Sequence, residues 1–167
     1  VLILLQTYFD MLALRKGPDA IPRSWVIFLV SIGMLLISSY FASALIDGMR
    51  EQNYFMTFFG YSLGLVFYAS VLFITGFAGR MLQTISAIVA CGAIITLLYV
   101  IEYLVFKNLF GVEFASLVGI LIIFWSVPVE GHIIARAIQQ HKFVGITIAM
   151  AALILQLGFQ SAFTANS

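Results

Sequence analysis

Long runs of apolar residues alternate with short polar breaks along this chain. The runs cover residues 25–46, 55–77, 81–105, 114–135 and 143–163. Each is close to the twenty or so apolar residues that a helix needs to cross a bilayer, and none shows the one-sided period of a soluble amphipathic helix. Backbone groups in hydrocarbon must be satisfied within the segment, so the choice lies between helices and a closed barrel. Barrel strands would read as short alternating segments with turns about every ten residues, a pattern absent here. The expected fold is therefore all-α, a polytopic membrane helical bundle with five transmembrane helices.

Four polar breaks punctuate the runs, at residues 47–53, 78–80, 107–113 and 139–142. The second, Ala78-Gly79-Arg80, is barely one turn long. It leaves open a four-crossing arrangement with one re-entrant element.

Ahead of the first run, residues 1–14 are apolar but interrupted by Gln6, Thr7 and Asp10. This stretch is short for a crossing and reads as an interfacial amphipathic helix near the membrane plane. Arg15-Lys16-Gly17-Pro18-Asp19 ends it by charge, Gly and Pro, and Arg23-Ser24-Trp25 opens the first span. The positive charges follow the apolar part instead of preceding it, which is the wrong order for a signal peptide.

Composition agrees with the pattern. Among 167 residues 63% are hydrophobic and 9% charged, whereas a soluble domain carries about 25% charged residues. One compact domain over 1–167 is expected. The net charge of +1, with no basic cluster interleaved with aromatics, argues against a nucleic-acid partner. Charge also orients the chain. With a cytoplasmic N-terminus that side receives Arg15, Lys16, Arg23, Arg80, Arg136 and Lys142, six of the eight basic residues, and the other receives Arg50 and Lys107. The positive-inside rule then favours N-in and C-out, a bias that suits a bacterial inner membrane.

Small residues mark where helices approach one another. Gly60-Tyr61-Ser62-Leu63-Gly64 is a G-x-x-x-G motif, Ser39 and Ser43 share its spacing, and Gly76 and Gly79 suit a tight hairpin. Such faces serve contacts within the chain or between copies. Cys91, the single cysteine, reads as a packing residue.

Most of the candidate chemistry lies between Val127 and Arg136. Pro128 has no amide hydrogen, so it deprives the Phe124 carbonyl of its partner and can kink the fourth span. Glu130 follows two residues later. A carboxylate in the apolar part of a span costs about 3 kcal/mol on insertion scales and is a functional candidate by default. His132 and Arg136 share one helical face, while Glu130 points about 200° away and needs a partner on another helix or access to water. Glu102 is the second intramembrane carboxylate, placed near the outer end of the third span, with Lys107 as a candidate partner. The two carboxylates could belong to one water path, or each could be structural, with Arg136 snorkelling to the headgroups. No His-x-x-His or Glu-x-x-His pair supports a metal site, no cofactor is implied, and no nucleophile elbow, phosphate loop or dinucleotide fingerprint supports an enzyme.

Five spans after an amphipathic segment, together with the charged Gly-Pro run Arg15-Lys16-Gly17-Pro18-Asp19-Ala20-Ile21-Pro22, resemble the Yip family of small multispanning membrane proteins. The Asp-Leu-Tyr-Gly-Pro motif of its eukaryotic members is absent. The resemblance implies a membrane organiser or adaptor acting through helix contacts, and it carries no residue roles. Two functions are thus expected to compete. One is a non-enzymatic scaffold that recruits or regulates membrane or envelope components, with lipids, a membrane protein or further copies of itself as partners. The other is a small proton-linked transporter or channel built on Glu102, Glu130 and His132.

Overall fold

The computed structural model describes residues 2–46 and 54–164, and all regular structure within them is helical. Helix α1 spans Leu2–Leu12, α2 Trp25–Leu45, α3 Tyr54–Ile74, α4 Met81–Phe110, α5 Val112–Ala137 and α6 Lys142–Thr164. Single 3-10 turns at Pro18–Ala20 and Ala78–Arg80 join them. The polar break at 47–53 lies outside the described residues, as do Arg50 and Ser167.

Four helices, Trp25–Leu45, Ala78–Phe110, Val112–Ala137 and Lys142–Ala162, are long and apolar enough to cross a membrane, and Phe58–Ile74 is a shorter apolar stretch. Their outer faces expose large apolar side chains, among them Leu36, Phe73, Leu121, Phe124 and Ile154. A surface of that kind is stable against lipid and unstable in water.

Helix α4 is the centre of the bundle. Its apolar window is 61% buried, against 17–22% for the other three spanning helices, so most of its side chains meet protein and most of theirs meet the surroundings. It packs on α2 and α5, α5 packs on α6, and α3 touches both α6 and α4, so that α4, α5, α6 and α3 close a ring with α2 outside it. The expected break at 107–113 shrinks to a single residue. Helix runs through Phe110, restarts at Val112, and turns at Gly111, whose φ of 89° only glycine adopts without strain. Likewise α5 runs through Pro128 without interruption.

The small-residue contacts fall partly where the sequence suggests. Gly60 and Gly64 face α6, but they receive glutamine side chains: a Cβ on Gly60 would lie 3.1 Å from Gln160 Nε2, and one on Gly64 would collide with Gln156. The close backbone approach is made instead by α5 and α6. A Cβ on Gly131 would come within 2.7 Å of the Ile146 Cα, and one on Gly145 would strike the Gly131 carbonyl and the Ala135 methyl. On α2 the contact within the chain is made by other small residues. Ser39 is exposed and Ser43 half-buried, while the buried small residues are Ser31, Ser38 and Ala42, spaced to stay on the side that meets α4.

One end of the bundle gathers the Gly-Pro segment, the start of α4 and the end of α5. Arg80 donates to the Ala137 carbonyl at 3.2 Å, and Gln83 donates to the Ile21 carbonyl at 2.6 Å. Arg15, Lys16, Arg23, Arg80, Arg136 and Lys142 all belong to this basic end. At the other end Ala42, Ile46, Val100, Tyr103 and Ala115 form a separate small core.

Candidate functional site

The Glu130 carboxylate meets a partner on another helix. Tyr68 of α3 donates its hydroxyl to Glu130 Oε2 at 2.5 Å, reaching across the ring to α5. The Tyr68 side chain is almost wholly buried (1% exposed), as are the neighbouring Leu72 and Val129. Tyr61, one helical repeat earlier on α3, and Cys91 of α4 lie within electrostatic range of the same carboxylate. The Tyr61 hydroxyl is buried without a hydrogen-bond partner and faces Gly92 of α4 at 3.1 Å from where a Cβ would stand. The Tyr68–Glu130 bond thus ties α3 to α5 in the interior of the bundle, with a charge-capable group held by a phenol.

His132 takes no part in that tie. It turns toward the N-terminal segment, where Nε2 meets the Lys16 carbonyl at 3.2 Å, while its Nδ1 is buried without a partner. A carbonyl can only accept, so this contact assigns the proton to Nε2. The grip is repeated by Trp125, whose Nε1 donates to the Leu12 carbonyl at 3.3 Å, and by Gln83 on Ile21. Three side chains from α4 and α5 therefore hold backbone carbonyls of residues 12–21. Gly17 fits under the same clamp, because a Cβ there would stand 2.5 Å from Asp19 Oδ1 and 2.8 Å from the Arg136 Cβ. Helix α1 is drawn in with it. Thr7, Tyr8, Met11 and Leu12 are buried, and Trp125 stands about 18 Å along α5 from Ala137, so α1 lies against the side of the bundle. The Tyr8 hydroxyl lies 3.5 Å from the Ser31 hydroxyl of α2.

Arg136 is exposed at the basic end. With Arg80, Asp19, Gln139 and Gln140 it lines a polar basin of about 400 Å³. Gln139 holds a left-handed conformation, φ 56°, at the close of α5, where the Gln140 amide bonds back to the Ala135 carbonyl. Glycine is the usual residue at such a helix end.

The expected pairing of Glu102 with Lys107 does not form. Five residues place them about 140° apart around α4. The Lys107 ammonium lies over the Tyr103 ring, 5.5 Å from its centroid, and neither Glu102 oxygen has a hydrogen-bond partner. The carboxylates are also separate from each other: Glu102 lines an apolar cavity between α4 and α5, and neither that cavity nor the basin touches Glu130. Among the described residues no three His, Cys, Asp or Glu side chains converge as a metal site would need.

Sequence reasoning pointed to Glu130, Glu102, His132 and Arg136 but missed Tyr68, Trp125, Gln83, Asp19 and Gln139. Tyr68 carried one available signal: it is a polar-tipped side chain inside an apolar run, which seeks a partner when buried. The chain matches no family model, no curated protein and no solved structure.

Proposed function

We propose that this chain is a non-enzymatic scaffold of a bacterial inner membrane, which recruits or regulates membrane or envelope proteins through helix contacts. Its partners are membrane lipids, an integral membrane or envelope protein, and further copies of itself. It crosses five times, with the N-terminus cytoplasmic and the C-terminus external, and α1, expected in the interface, packs instead against the side of the bundle. Support for the fifth crossing comes from α3. Its 21 residues measure about 30 Å, and it connects the end holding Ile46 to the end holding Arg80. The gathering of basic residues at one end supports the orientation. The layout, with its clamped Gly-Pro segment, is the one on which the likeness to the Yip family rests.

The single observation that carries the scaffold reading is the Tyr68–Glu130 bond. A carboxylate committed to a phenol on a neighbouring helix ties the ring together, whereas a proton carrier needs exchange with water. Purified parent and Glu130→Gln protein in liposomes under an imposed potential test it, with interior pH followed over time. Vesicles that stay equally tight with both proteins fit a scaffold. Proton or solute flux carried by the parent and lost in Glu130→Gln would replace this reading with proton-linked transport.

A further inference from the structure

The polar basin at the basic end is lined by Arg80 and Arg136 together with Asp19, Gln139 and Gln140, and its volume is about 400 Å³. All five residues reach the surface, Arg80 half-buried and the others exposed. Arg80 commits one N–H to the Ala137 carbonyl at 3.2 Å, which caps the end of α5 and leaves its other guanidinium donors for a ligand. Among the described residues the one ion pair joins Lys16 to Asp10 at 2.8 Å, so neither arginine of the basin is held by a carboxylate. Two guanidiniums against the single carboxylate of Asp19 leave the basin net positive by one charge.

The backbone gives an independent sign. Gln139 closes α5 at φ 56°, a left-handed conformation in which a side chain is strained and glycine is usual. A strained position that nevertheless carries a side chain points to a use for it, and Gln139 lines the basin beside Gln140.

Position names the source of the ligand. Arg136 lies in the last turn of α5 and Arg80 directly precedes α4, and both helices are long and apolar enough to cross a membrane. In a bilayer the basin therefore sits where hydrocarbon gives way to headgroups, the level at which basic pockets between spanning helices take lipid headgroups. Guanidiniums offer paired N–H donors to phosphate oxygens, and glutamine amides add neutral donors.

We propose that this basin seats the headgroup of an anionic phospholipid, its phosphodiester on Arg80 and Arg136 and a headgroup hydroxyl on Asp19. One negative charge matches the net charge of the basin. A choline headgroup instead brings a quaternary ammonium against the arginines and has no N–H or O–H to donate to Asp19. The site rests on the membrane placement proposed above and not on the Tyr68–Glu130 bond, so loss of the headgroup preference would leave the scaffold reading in place.

Native mass spectrometry of the full chain, released from nanodiscs holding equal amounts of phosphatidylglycerol and phosphatidylcholine, tests the site. The parent is expected to retain phosphatidylglycerol about fivefold over phosphatidylcholine, the ratio that one arginine supplies at a charged headgroup. Arg136→Gln is expected to bring the two lipids near parity, whereas Lys142→Gln, which removes the same charge from the same end but outside the basin, keeps the preference. Gln139→Gly retains both arginines and relieves the backbone, and is expected to lower the ratio about twofold, the size of a weak neutral hydrogen bond. Inorganic phosphate added in excess should leave the lipid adduct in place. Equal retention of the two lipids by the parent would overturn the proposal without reference to any variant. So would a full preference in Arg136→Gln or in Gln139→Gly, an equal loss in Lys142→Gln, or displacement of the lipid by inorganic phosphate, which would assign the basin to a soluble anion.

Discussion

Tyr68 of α3 and Glu130 of α5 are 62 residues apart in the chain and share a 2.5 Å hydrogen bond at the heart of the helical ring. Helix α3 packs mainly on α6 and α4, so this side chain reaches past its nearest neighbours to a helix it otherwise scarcely touches. Removing it releases one side of the ring. Tyr68→Phe should lower the melting temperature of the detergent-purified protein by an amount equivalent to about 0.5–2 kcal/mol, because the Glu130 oxygen is left without its donor. An unchanged melting curve would show the bond to be idle.

Glycines that look alike in the sequence should respond differently. Gly131→Ala drives a methyl into the Ile146 backbone, which cannot rotate away, and should cost about 1–3 kcal/mol or prevent folding. Gly60→Ala meets the flexible end of Gln160 and should cost much less. Gly33→Ala meets nothing within 4 Å and should be neutral or stabilising by up to about 1 kcal/mol. Thermal unfolding of the three variants gives the order, and a large loss at Gly60 with none at Gly131 would refute the packing assigned to α5 and α6.

That contrast also shows how far the sequence could be read. Hydropathy located the helices because a 20-residue apolar run has few other uses, and the polar breaks placed their ends to within a few residues. What hydropathy lacks is direction. An all-round apolar helix has no polar face to mark which side meets protein, so Ser39 and Ser43 were as plausible as Ser31 and Ser38, and G-x-x-x-G outshone the unpatterned Gly131 and Gly145. Glu130 stood out because a carboxylate is costly in lipid. Tyr68, Trp125 and Gln83 did not, since each works through a contact whose other half lies far away in the chain.

Opposite ends of the bundle should lie on opposite sides of the membrane. Single cysteines at Lys16 and Gln140, at the basic end, should resist an impermeant thiol reagent added to intact cells, whereas one at Asn108 should react. Cysteines at Asn53 and Ser167, outside the described residues, should behave like Asn108 if there are five crossings. Reaction at Gln140 with protection at Asn108 would reverse the orientation.

The basin at the basic end predicts a gain. Gln139 holds a left-handed conformation that glycine adopts without cost, so Gln139→Gly should raise thermal stability by about 0.5–1 kcal/mol. A loss of stability would mean that the glutamine side chain holds the end of α5 in place.

The most direct test of the central claim, that Glu130 is an interhelical tie, is a double-mutant cycle on Tyr68→Phe and Glu130→Leu, measured by reversible unfolding in mixed micelles. If the two residues act as one crosslink, the double variant should lose less than the sum of the single losses, with a coupling of about 1 kcal/mol. Additive losses would contradict the account, since the two side chains would then be serving the fold independently of the bond between them.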